Sequence, residues 1–334
     1  QIASSQGVIS GTVTTADGTG VVDAAVTILE GTAPYPEMAV FTDAEGRWRW
    51  TVAPGTYVLE GYNEDFSFDN GGNILNTGFI VTAAGVVVVN TGPSRQYGEQ
   101  LRAAIAAVTE RPVVRVYISK LHPDHFLGNQ AFRDVPIAAA AATIEGIRQQ
   151  GEQFTDNMYR LCGAWMRGTE PVVPDTPVDS GRIAIGGHEL ELMVMAGHTP
   201  GDLVILDRTT GVLFAGGVVF HDRAPTTPHA NLAAWRAELD WLASLPFRVL
   251  VPSHGPIAAD AAPIHQTRDY LSWLDRTLHE AASKGLAMAE VLFLPVPARF
   301  DRLAVLEAEF ERSVNHLYPA LEAHDWPLVG RREN

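Results

Sequence analysis

Three apolar runs in this chain each lead into a histidine-bearing turn. "PVVRVYIS" (112–119) runs into Lys120-Leu121-His122-Pro123-Asp124-His125. "ELELMVMAG" (189–197) runs into His198-Thr199-Pro200-Gly201-Asp202, and "FRVLVPS" (247–253) into His254-Gly255-Pro256. A strand that is apolar almost throughout is buried on both faces, so it needs covering layers above and below. The chain supplies them. Residues 97–110 carry apolar side chains at 101, 104, 105 and 108, one face of a helix, and 231–245 is amphipathic with the same period. Strands interleaved with helices give an α/β (α+β) fold, in which the loops after the strands collect at one rim.

The 334 residues exceed an ordinary single domain. Residues 1–53 read as all-β, with "VISGTVTT" and "RWRWTV" alternating and "ADGTG" and "TDAEG" as turns. They resemble the small carboxypeptidase-regulatory or transthyretin-like β-sandwich modules, which carry no catalytic groups. The other reading extends the next sheet with these strands. From 54 to 334 the style changes. The "NILNTGFIVTAAGVVVVNTG" stretch is two strands around Ala83-Ala84-Gly85, and residues 138–150 and 153–167 read as helices. Residues 202–216 form a hairpin turning at Asp207–Gly211, and the chain is helical after 263, with Gly285 ending the clearest helix.

A net charge of −15 argues against nucleic acid or an anionic membrane surface as partner. No apolar run is long enough to span a bilayer. The single cysteine, Cys162, rules out an internal disulfide and reads as buried and inert. The start "QIASSQG" has no signal-peptide core, so the expectation is either a mature end of a periplasmic or secreted protein or a cytoplasmic one.

Imidazole and carboxylate are the ligands zinc, iron and manganese take in hydrolytic sites. Singly, each candidate has a plainer reading: Asp124 as a helix cap, a His-Gly pair as a loop residue bonded to a carbonyl. Together, His122, Asp124, His125, His198 and His254, all after strands, would converge on one rim.

His122-x-Asp124-His125, Gly197-His198-Thr199-Pro200-Gly201-Asp202 and Ser253-His254-Gly255 resemble the metallo-β-lactamase superfamily over about 54–334. Narrower likeness, in "APGTYVLEGYNEDFSFDNGGNILNTGFIV" and "FERSVNHLYPALE", is to hydrolases grouped with quinoprotein dehydrogenase systems. The resemblance implies a four-layer αββα sandwich with metals at one sheet edge. It also implies a first metal on positions 120, 122 and 198 and a second on Asp124, His125 and His254. This chain departs from that pattern. Lys120 replaces a histidine, Gly217 stands where a bridging Asp is expected after "LFAG", and Asn90 replaces an Asp in "VVNTG".

An ammonium about 5 Å from a dication repels it by roughly 7 kcal/mol at an effective dielectric of about 20. The changes at 217 and 90 each remove a negative charge. All three weaken the first site and leave Asp124, His125 and His254 for at most one zinc or iron, or none. Lys120 reads as a stand-in for the missing metal, as an oxyanion holder, or as the partner of Asp124 in an ion pair. His221, four residues beyond Gly217, reads as a substitute ligand reaching the centre or as an ordinary loop residue, and Tyr62, Phe66 and Phe68 as pocket lining or packing. The expected activity is hydrolysis of an ester, thioester or amide by metal-activated water. In that reading Asp124 is general base, and Lys120 or His198 stabilises the oxyanion. The alternative is a non-catalytic descendant that binds a small ligand, or a protein partner through the β-module.

Overall fold

The computed structural model describes strands at 7–12, 25–27, 39–41 and 47–52 and the chain from 55 to 325. The N-terminal strands are β1 (Gly7–Thr12), β2 (Ala25–Thr27), β3 (Ala39–Phe41) and β4 (Arg47–Val52). β1 pairs antiparallel with β4 and β2 with β3, in ladders separate from the larger sheets. The rest of the β-module expected over 1–53 lies outside the described residues.

The main body runs β5 (Thr56–Leu59), β6 (Thr77–Thr82), β7 (Gly85–Val89), α1 (Arg95–Val108), β8 (Val113–Ile118), α2 (Pro123–Phe126), β9 (Ile137–Ala140), α3 (Ala141–Cys162) and β10 (Thr176–Val178). It continues through β11 (Gly181–Ile185), β12 (His188–Met195), β13 (Asp202–Asp207), β14 (Val212–Phe214), α4 (Leu232–Leu242), β15 (Val249–Val251), α5 (Ala262–Ser283), α6 (Met288–Val291) and α7 (Leu306–Asp325). One sheet has the order β10-β9-β8-β7-β6-β5 and the other β11-β12-β13-β14-β15.

Strand alternation builds the layers. In β7, Val87 and Val89 face the second sheet, whereas Val86 and Val88 pack among Leu101 and Ile105 of α1. In β13, Leu203 and Ile205 face the first sheet, while Val204 and Leu206 join Trp235, Leu271 and Leu274 beneath α4 and α5. Both faces of these strands are buried, which is why their sequences read as unbroken apolar runs. The result is the four-layer αββα sandwich.

Two elements differ from the sequence reading. Residues 138–150 and 153–167 do not form two helices: Ile137–Ala140 is a strand, and one 22-residue helix follows. Alanine favours helix in isolation. Here β9 pairs parallel with β8 and is buried throughout, and that tertiary pairing overrides the propensity. Gly285 does follow the long helix α5, with φ +68°.

Candidate metal centre

The parallel pairs β7/β8 and β14/β15 end at the same rim. The two sheets are tied there by the Leu203 N–H, which donates to the Ser119 carbonyl at 2.7 Å. This bond brings the loop carrying His198 against Lys120. Asn76 holds the third loop, donating through Nδ2 to the carbonyls of Pro252 (3.0 Å) and Gly255 (2.8 Å) on either side of His254. Gly255 sits at φ +83°, and a Cβ there would lie 1.7 Å from the His221 carbonyl oxygen, so only glycine completes this turn.

Asp124, His125 and His254 converge. One ligand atom from each lies within 4.8 Å of the others, and all three side chains are buried. Asp124 Oδ2 is 3.5 Å from His125 Nε2 and 3.5 Å from His254 Nε2. The rings are held from behind. His254 Nδ1–H donates to the Ile74 carbonyl at 2.8 Å, which fixes the tautomer and leaves the Nε2 lone pair facing Asp124. His125 Nδ1 lies 2.8 Å from Ser119 Oγ; with the ring donating, its Nε2 lone pair also faces inward. Burial holds both imidazoles well below their usual pKa, with Lys120 adding to the effect, so they are neutral. Burial pushes the Asp124 carboxyl up, and the Lys120 ammonium opposes that.

Asp124 Oδ2 and His125 Nε2 are buried without a hydrogen-bond partner. Unpaired polar atoms are costly in an interior, and three converging lone-pair donors suit a cation. Two imidazoles and a carboxylate match the donor set of a single catalytic zinc or iron with open positions. These residues fit such an ion.

The other half of the constellation is arranged differently. Lys120 is fully buried, and its Nζ lies 3.1 Å from His198 Nε2, not in ion-pair contact with Asp124. His122 Nε2 lies 3.1 Å from His229 Nδ1. Gly217 adjoins Lys120: a Cβ there would be 2.4 Å from Lys120 Cδ and 2.8 Å from His198 Cδ2. Asn90 is not at the centre. It adopts φ +63°, which asparagine tolerates, and its Oδ1 accepts the Ser119 N–H at 2.9 Å. The change from Asp therefore preserves an acceptor that supports the residue orienting His125.

A cavity of about 70 Å³ opens on Asp124 and His254 of the triad, lined also by His122, Phe66, Arg223 and Glu309, among others. Lys120 and His198 do not line it. Arg223 is 4% exposed; its Nε has no partner, and its guanidinium also donates to the Glu64 carbonyl. Glu309 pairs with Arg312 at 2.6 Å, and Arg312 reaches Asp65, next to Phe66, at 3.6 Å. Arg223 and Glu309 had no signal in the sequence; Ser119 directly precedes Lys120, and Ile74 and Arg312 lie inside the two stretches of narrower resemblance without being singled out there. Of the loop aromatics, Phe66 lines the cavity and Phe68 is exposed. His221 donates to the Pro256 carbonyl and is no part of the triad. Cys162 is buried, its thiol pushed up to about 11 by burial. A larger hollow of about 660 Å³ runs along β12 and α4, away from the histidines.

The family model of the metallo-beta-lactamase superfamily matches residues 70–254, a span that takes in every one of these ligand positions. The chain belongs to the metallo-beta-lactamase superfamily. Among solved structures it is similar to a metallo-beta-lactamase from Pontibacter korlensis, at 22% identity and TM-score 0.55, covering 66% of this chain and 97% of that one. It is also similar to a double mutant of the sec-alkyl sulfatase PisA1, at 19% identity and TM-score 0.60, covering 83% of this chain and 52% of that one. A curated relative is the linear primary-alkylsulfatase of Pseudomonas sp. (strain ATCC 19151), 21% identical over 252 residues. That match takes in 62% of this chain and 47% of the relative, so the chain spans about half the length of the curated relative it matches. The solved structures share the fold. No helix among the described residues is long and apolar enough to cross a membrane.

Proposed function

We propose that this protein is a metal-dependent hydrolase with a single zinc or iron held by Asp124, His125 and His254. The observation that carries the reading is the convergence of two orphaned buried atoms, Asp124 Oδ2 and His125 Nε2, with the pre-oriented Nε2 of His254. Such an ion supplies Lewis acidity and lowers the pKa of water toward neutrality. The protein does the rest. The Asp124 carboxylate orients the attacking water and takes its proton. Arg223, on the cavity wall, faces the charge that develops on the substrate, and His122 lines the same wall with its Nε2 on His229. Lys120 and His198 lie behind that wall, so in this reading Lys120 acts on Asp124 through its charge rather than on the substrate, and the neutral His198 holds the Lys120 Nζ.

The bond attacked is an ester, thioester or amide in our reading. A buried guanidinium with an unpartnered Nε favours an anionic ester, and the curated relative's name makes a primary alkyl sulfate the first compound to try. The test is hydrolysis of an alkyl sulfate and of neutral carboxylic esters by protein purified without chelator. Activity that is lost on chelation, restored by zinc and absent in His254→Ala supports the reading. No hydrolysis together with no metal binding would replace the enzyme by a ligand-binding descendant.

A further inference from the structure

The two halves of the centre are in opposite states. In the half built from Asp124, His125 and His254, the inward atoms of Asp124 and His125 lack partners. In the half built from positions 120, 122 and 198, a ring nitrogen of each histidine is engaged from within. His198 Nε2 takes Lys120 Nζ at 3.1 Å, and His122 Nε2 meets His229 Nδ1 at 3.1 Å. The ammonium is not a surface charge that has strayed inward: Lys120 has no exposed area, and its Nζ sits 5.4 Å from the Phe220 ring centroid.

Gly217 makes this possible. The position where the resemblance calls for a bridging carboxylate has no room for a side chain while Lys120 keeps its conformation, because a Cβ would stand 2.4 Å from Lys120 Cδ and 3.0 Å from Lys120 Cε. Lysine at 120 and glycine at 217 are therefore one change seen from two positions. The long side chain runs through the space a side chain at 217 would fill. Two losses of ligand and the gain of a cation fall in the same volume.

We propose that the Lys120 ammonium is a built-in cation that takes the place of the second metal ion, leaving a centre of one ion and one fixed positive charge. The proposal rests on the single-metal reading above and deepens it. Lys120 is a positioning residue: it spans from β8 to His198, fills the notch at Gly217 and supplies the charge next to Asp124 that a second ion would otherwise supply. A tethered side chain cannot diffuse away and does not depend on metal supply, so the second half of the centre is filled whether metal is scarce or not.

The test is a zinc count by equilibrium dialysis on the whole chain, with folding checked by circular dichroism. Wild type binds one zinc, which His254→Ala loses. The Lys120→His, Gly217→Asp double variant binds two. Lys120→Ala adds no bulk and is the safer variant to fold. It takes a second zinc at free concentrations about tenfold or more below any at which wild type does, since a close ammonium strongly repels a dication in a protein interior. Two ions in wild type, or the wild-type count in both Lys120 variants, would overturn the proposal. No ion in wild type but a gain of one in either variant would keep Lys120 as the excluding cation and sink the single-metal reading instead.

Discussion

Gly217→Ala is the sharpest probe of how this centre is packed. The added Cβ would stand 2.4 Å from Lys120 Cδ, 2.8 Å from His198 Cδ2 and 3.0 Å from Lys120 Cε. Carbon atoms in contact prefer about 3.5–4.0 Å, so the lysine chain must shift by roughly 1 Å. Its freedom is limited at both ends. Its backbone follows Ser119, which is tied to Asn90, and its Nζ is on His198. Overpacking of this kind costs about 1–3 kcal/mol. For a domain of this size each kcal/mol is about 2–4 °C of Tm, so the melting temperature should fall by roughly 2–12 °C. The penalty should shrink without the lysine. Gly217 is not among the glycines at positive φ, so its backbone accepts alanine. In a Lys120→Ala background only the 2.8 Å approach to His198 Cδ2 remains, so the same substitution should lower the melting temperature by less. Thermal and urea denaturation of the four proteins in this cycle read the coupling directly. An equal penalty in both backgrounds would refute the steric pairing of 120 with 217.

Two further expectations follow from the neighbouring contacts. Ser119→Ala removes the hydroxyl 2.8 Å from His125 Nδ1; by analogy with other residues behind metal ligands, zinc affinity should drop about 10–100-fold, read by competition with a chromophoric chelator, and an unchanged affinity would show that Ser119 does not orient the ring. Asp202 accepts the N–H groups of His198 (3.0 Å) and Thr199 (2.7 Å), and burial pushes its carboxyl up to about 7 against those hydrogen bonds and Lys120. The folded state therefore holds this proton more tightly than the unfolded chain, whose aspartates titrate near about 4. Its contribution to stability is complete below that value and falls as pH rises toward 7. Asp202→Asn should flatten this part of the Tm–pH profile, and parallel profiles for variant and wild type would exclude Asp202 as its source.

The strands and the ligand loops were legible because burial on two faces writes long apolar runs, and each ligand follows such a run directly. What the residues could not show was who fills whose space. Gly217 reads as a missing carboxylate; in the fold it is a steric requirement of Lys120. Asn90 reads as a lost charge at the metal; in the fold it is an acceptor for Ser119, one step removed from His125. The alanine-rich Ile137–Ala140 reads as helix because its strand character comes from pairing with β8, which local propensity does not carry. Glu309 and Arg312 approach the cavity from α7, far along the chain from the ligands, and nothing near them in sequence marks that meeting.

X-ray absorption on the cobalt-substituted wild-type protein addresses the centre most directly. The account expects one cobalt per chain, with scattering from two imidazoles and a carboxylate, the set given by Asp124, His125 and His254. A shell of three imidazoles, or a metal–metal vector, would place an ion among His122 and His198 and contradict it.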